Sequence, residues 1–143
     1  MNAKEAMNTN VKTIQPSSNI KRAAEQMTKY RIGSLIVVKS GKLVGIVTER
    51  DILQKVVAKN KNTVKTKVSD IMTKEVMLIS PDLDIESASK IMKKHKIKKL
   101  PVIIDHHLVG ILTATDIVSA QLELMDRLGH LFLGANRKKL TAG

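Results

Sequence analysis

The segment from Met7 to Ile52 recurs as Met72 to Ile117 at one constant displacement of about 65 residues, without a gap, which marks an internal duplication. Met7 falls on Met72, Pro16 on Pro81, Ala23 on Ala88 and Met27 on Met92; Leu43-Val44-Gly45-Ile46 falls on Leu108-Val109-Gly110-Ile111. Whatever one copy folds into, a chain of 143 residues must contain it twice. A chain of this size hides roughly 68–70% of its unfolded surface, so a substantial core is within reach.

Each copy reads as strand, helix, strand, strand, helix. Val11 to Ile14 and Val76 to Ile79 are predicted short strands, each closed by a proline that cannot extend a ladder. Ser18 is the expected N-cap of the next helix in the first copy, where Ile20, Ala23, Ala24, Met27 and Tyr30 recur at helical spacing. In the second copy Asp84 is the cap, and Ile85, Ala88, Met92 and His95 follow. Ser34 to Val38 and Leu43 to Val47 suit a hairpin around Lys39-Ser40-Gly41-Lys42. Its counterpart joins Leu100 to Ile104 and Leu108 to Leu112 through an expected turn at Asp105-His106-His107.

A unit of this kind has an apolar sheet face that it cannot bury alone. The predicted fold class is therefore α/β (α+β), with two tandem strand-helix-strand-strand-helix repeats packed in pseudo-twofold symmetry. The expected divisions are 1–60 for the first repeat, 61–125 for the second and 126–143 for a C-terminal helical extension and tail. Polar residues 59–63 read as a solvated connector, and residues 68–72 as a short helical lead-in matching residues 3–7.

Composition removes several function classes. With 43% apolar and 27% charged residues the chain is not a disordered tail, and no apolar run approaches the roughly 20 residues of a membrane span. Its first residues lack a secretory pattern and it has no Cys, hence neither disulfides nor thiolate metal sites; the expected location is the cytoplasm. The net charge of +12 favours polyanions or phosphate-bearing ligands. With Tyr30 and Phe132 as its aromatics, the chain lacks the platforms on which successive bases stack.

The motif with chemical content is Gly45-Ile46-Val47-Thr48-Glu49-Arg50-Asp51, repeated as Gly110-Ile111-Leu112-Thr113-Ala114-Thr115-Asp116. A strand that ends on Thr and opens a helix leaves backbone N–H groups free for an anion, and the Asp three residues later supplies an acceptor suited to ribose hydroxyls. The same Thr-x-x-Asp is also an N-terminal cap. Its recurrence at equivalent strand ends favours a site, although duplication preserves caps as well.

Together with Asp70-Ile71-Met72-Thr73, the Pro16 and Pro81 turns and Lys98-Lys99-Leu100-Pro101-Val102-Ile103, these stretches make residues 1 to roughly 121 resemble a pair of cystathionine beta-synthase (CBS) domains, the Bateman module. The resemblance implies two repeats packed sheet to sheet, with two clefts that bind AMP, ADP, ATP or S-adenosylmethionine. It implies one cleft built from Thr113 and Asp116 and closed by Ile32, Gly33 and Ser34. The second would join Thr48 and Asp51 to Ile97, Lys98 and Lys99. Arg50, Lys98 and Lys99 make the Thr48/Asp51 cleft the expected polyphosphate site, and the other cleft the one poorer in charge. Ile36 departs from the family's usual proline, which Pro101 retains.

Other features leave alternatives open. His106 and His107 suit a solvated turn or, with no third ligand evident, a metal. Residues 93–99 form a basic stretch suited to a solvated helix end or, with Lys59, Lys61, Lys65, Lys67 and Arg137-Lys138-Lys139, to a nucleic-acid face. The last helix carries Ile117, Val118, Leu124, Met125, Leu128, Leu131 and Phe132, a core stripe or a homodimer contact, with Gly134 as its expected stop and a mobile tip beyond. No Walker loop, dinucleotide-binding glycine motif or His-Glu-x-x-His is present. The expected function is a non-enzymatic sensor with no required cofactor, acting on an unidentified regulated protein. A basic nucleic-acid binder and a structural dimer with vestigial clefts are the alternatives.

Overall fold

The computed structural model describes residues 1–142, with side chains through residue 133. The first half contains α1 (Ala3–Ala6), β1 (Thr13–Ile14), α2 (Ile20–Tyr30), β2 (Ser34–Lys39), β3 (Lys42–Thr48) and α3 (Glu49–Ile52), which continues as a π-helical turn over Leu53–Val57. The second contains α4 (Val68–Ile71), α5 (Ile85–His95), β4 (Lys99–Ile104), β5 (His107–Thr113) and α6 (Ala114–Ala142). The strands run in the order β1-β2-β3-β5-β4. No helix among the described residues is long and apolar enough to cross a membrane.

The pairings confirm the twofold relation expected from the duplication. Residues related by the repeat meet each other where the halves join: Lys42 pairs with His107, and Leu43 N–H donates to the His106 carbonyl while Leu108 N–H donates to that of Gly41. Bridges away from the axis come in symmetric couples, Asn8 with Ile111 and Thr73 with Ile46, or Asn2 with Asp84 and Lys67 with Asn19.

Two apolar cores result, and each takes its lead-in helix from the other half. Val68 and Ile71 of α4 pack with Ile20, Leu35, Val37 and Val47, whereas Ala3 of α1 is fully buried with Ala88, Leu100, Val102 and Leu112. Backbone hydrogen bonds fix both crossings: Ala3 N–H to the Leu83 carbonyl at 2.7 Å, and Val68 N–H to that of Ser18 at 2.8 Å.

Several local expectations are corrected. Asn19, not Ser18, caps α2, accepting from Arg22 N–H at 2.9 Å; it is the repeat equivalent of Asp84, the cap of α5. Asp84 caps α5 as expected; the backbone N–H and then the hydroxyl of Ser87 hold its carboxyl below the usual carboxylate value. Both hairpin turns are two residues long, Ser40-Gly41 and Asp105-His106, with positive φ throughout, the geometry that matches strand twist; His107 therefore belongs to β5. Of the predicted strand 11–14 only Thr13 and Ile14 pair, since Val11 and Lys12 turn aside to line a cleft. Residues 76–79 retain one bridge, Ile79 to Val102. Helix α6 continues through Gly134 to Ala142; the side chains of Arg137, Lys138 and Lys139, and Gly143 of the expected mobile tip, lie outside what the structure describes.

The crossing depends on Gly45, where an added Cβ would lie 2.8 Å from the Thr73 carbonyl oxygen and 2.9 Å from Met72 Sδ. A backbone atom cannot step aside as a side-chain tip can, so Gly45→Ala is expected to destabilise the fold by about 1–3 kcal/mol. Urea denaturation should show a lower midpoint at unchanged slope.

Candidate functional site

Both Thr-x-x-Asp stretches form reciprocal capping boxes. Thr48 N–H donates to Asp51 Oδ2 at 3.0 Å and Asp51 N–H to Thr48 Oγ1 at 3.0 Å; the Thr113 and Asp116 pair repeats this at 2.9 and 3.1 Å. Each box satisfies amides that would otherwise be orphaned at a helix start. The two carboxylates differ in what their second oxygens meet. Asp51, 8% exposed, is held at Oδ1 by Lys55 Nζ at 3.1 Å, and the same ammonium donates to the Ile71 carbonyl at 2.9 Å. The residue equivalent to Lys55 is Ala120, and among the described residues no cation pairs with Asp116. Asp116 instead borders a hollow of 200 Å³ with Met1, Glu5, Ala6 and Glu123.

A cavity of 160 Å³ spans the two halves. Ile32, Ser34 and Ile36 line it from the first, Lys99, Ile111 and Thr113 from the second, and Asn8, Asn10, Val11 and Lys12 line its side. Within its lining Lys99 Nζ donates to Ser34 Oγ at 3.2 Å. These two residues are repeat-equivalent, so their bond lies on the pseudo-twofold axis. Each is also the cross-strand neighbour of a capping threonine, Ser34 of Thr48 and Lys99 of Thr113. Lys12 Nζ stands 4.3 Å from the centroid of the Tyr30 ring, a cation–π contact that limits where the ammonium can go.

The structure thus brings Ile32, Ser34 and Thr113 to one cleft, and adds Lys99, which the sequence reading had assigned to the other. It does not bring Gly33 or Asp116 into that cavity. Gly33 lies under the Glu49 carboxylate, whose Oε1 would be 2.8 Å from an added Cβ. Both line a larger groove of 480 Å³ bordered by the end of α2 and the start of α3, made entirely of first-half residues. Ile97 is half-buried and closes α5 through a hydrogen bond to the Met92 carbonyl, while Arg50 and Lys98 are exposed.

Lys12 and Lys99 both line the cavity that holds Thr113. Sequence reasoning missed Asn8, Asn10, Val11 and Lys12, because the lead-in was read as belonging to its own half. A signal was present, since Asn10 and Lys12 fall opposite Glu75 and Met77. Among the described residues no group of three or more His, Cys, Asp or Glu side chains could hold a metal. His107 Nδ1 lies 2.9 Å from the Asp105 carbonyl oxygen, which ties the ring at the start of β5 to the turn.

The CBS domain model matches residues 3–58 and again 68–123. The chain is 34% identical over 119 residues to the CBS domain-containing protein YhcV of Bacillus subtilis, covering 83% of this chain and 84% of that protein. It is 40% identical over 129 residues to the inosine-5'-monophosphate dehydrogenase of Thermoplasma acidophilum, covering 87% of this chain but 25% of the enzyme. Among solved structures, the CBS-domain containing protein of Agrobacterium tumefaciens superposes with a TM-score of 0.74 at 27% identity, covering 85% of this chain and 99% of that one. A hexameric CBS-CP12 protein from bloom-forming cyanobacteria superposes with a TM-score of 0.70 at 32% identity, over 82% and 66% of the two chains. Two family matches at the repeat spacing, on a twofold pair of cores with crossed lead-ins, make this chain a member of the CBS-domain family, a tandem CBS pair.

Proposed function

We propose that this CBS pair is a non-enzymatic regulatory module in which an adenosine-containing ligand, AMP, ADP, ATP or S-adenosylmethionine, bridges the two halves. The observation that carries the reading is the cavity shared by both repeats, where an apolar wall of Ile32, Ile36 and Ile111 meets the polar groups of Ser34, Lys99 and Thr113. At 160 Å³ it is smaller than the roughly 300–1,000 Å³ of pockets that enclose a drug-sized ligand. It encloses part of a nucleotide and leaves the rest at the open mouth. A ligand touching both halves favours the arrangement in which they fit it, and its differential affinity for that arrangement is the regulatory signal.

Titrations with AMP, ATP, S-adenosylmethionine and duplex DNA, each at two salt concentrations, test the reading. Nucleotide is expected to bind, and Ile32→Trp, which fills the cavity from its edge, is expected to abolish that binding. Binding of DNA alone, weakening steeply with salt, would instead establish a polyanion-binding protein.

The partner presented with this signal includes a second copy of the chain. Leu124, Met125, Leu128, Leu131 and Phe132 of α6 are 45–78% exposed, while Glu123, Asp126, Arg127 and His130 occupy the other side at helical spacing. The CBS model ends at residue 123, so this apolar face belongs to the extension and not to either core. The hexameric cyanobacterial relative supports self-association. Sedimentation velocity should show a dimer or larger assembly for the wild-type chain and a monomer for Leu128→Asp.

A further inference from the structure

We propose that the two clefts are unequal by construction, and that the phosphorylated ligand takes the one lined by Thr113, with Lys12 and Lys99 as the cations on its phosphates. The inference rests on the nucleotide reading and names the site and chemistry within it.

Two observations support the assignment. The twofold relation defines a mate cleft in which Thr73 to Met77 stand where Asn8 to Lys12 stand in the first. Asn10 becomes Glu75 and Lys12 becomes Met77, so a carboxylate replaces a neutral amide and a thioether replaces an ammonium. Lys99, on the axis, is shared. At positions 10 and 12, together with Lys99, the Thr113 cleft thus offers a phosphate two cations and no acid, whereas the equivalent positions 75 and 77, together with Lys99, offer one cation opposed by Glu75; Lys74 falls opposite Thr9, which does not line the cavity.

Positioning is the second point. Lys12 is half-buried and rests on the Tyr30 ring, at 4.3 Å, so its ammonium is already confined before a ligand arrives. The residue opposite Tyr30 is His95, which faces no lysine from the Met77 position. Lys99 is likewise held, by Ser34 Oγ at 3.2 Å, in a hydrogen bond from its ammonium to a neutral hydroxyl, which a phosphate oxygen can replace with an ion pair.

Arg50 and Lys98 are exposed and do not line the Thr113 cavity.

The test is calorimetric titration of the full chain with ATP and, separately, adenosine. One ATP is expected per wild-type chain. Asn10→Glu/Lys12→Met, which installs the residues the second repeat carries, should weaken ATP at least about tenfold while adenosine stays within about twofold. The reciprocal Glu75→Asn/Met77→Lys should raise the ratio from one ATP to two. Arg50→Ala and Lys98→Ala should leave ATP affinity unchanged. Two ATP per wild-type chain, undiminished ATP affinity in Asn10→Glu/Lys12→Met, or a ratio that stays at one in the reciprocal variant would overturn the assignment while leaving the nucleotide reading intact. Failure of the wild-type chain to bind any adenine compound would overturn both.

Discussion

The exchange of lead-in segments is the constraint on which the rest of this molecule depends. Asn8 and Ile111 exchange backbone hydrogen bonds at 2.9 Å in both directions, and Thr73 and Ile46 do the same, so each β3-type strand is edged by chain from the other repeat. The glycines at 45 and 110 exist for this approach, since at each an added Cβ would press on a backbone carbonyl, that of Thr73 or of Asn8. Neither half can complete its core alone, because Ala3 and Val68 are fully buried in cores that their own repeats do not build. The two repeats therefore fold as one cooperative object, and the cleft between them is a consequence of that bonding and not a gap between independent modules.

What was legible in the sequence follows from what duplication leaves visible. The element order, the twofold relation and the capping threonines could be read because each appears twice, at matched positions with matched patterning. The crossing could not be read this way: Ala3 and Val68 occupy equivalent positions, so either lead-in fits either core by composition. The turn at Asp105-His106 was read one residue too long because neither residue is a glycine, although both have positive φ. Ser18 and Asn19 are both competent caps, and the repeat register, which sets Asn19 opposite Asp84, was the signal that distinguishes them.

The candidate site was half legible for a related reason. Threonine and aspartate stood out as a motif, but a capping box explains both without a ligand, and for Asp51 the Lys55 ion pair makes that explanation complete. The informative residues were those in which the copies differ. Lys12 opposite Met77 and Asn10 opposite Glu75 carry no motif, and only the crossing brings one of these stretches beside Thr113. Similarity between repeats reveals architecture, and divergence between them reveals where the two surfaces have taken different tasks.

The Ser34 to Lys99 hydrogen bond has a further consequence for how such a molecule can change over generations. Residues on a rotation axis border both symmetry-related spaces at once, so a replacement at position 34 or 99 is felt on either side together. Independent adjustment is open only to off-axis stretches such as 8–12 and 73–77, and there the two copies have drifted apart. The axis acts as a shared hinge-pin that inheritance must treat as common property, leaving individuality to the periphery.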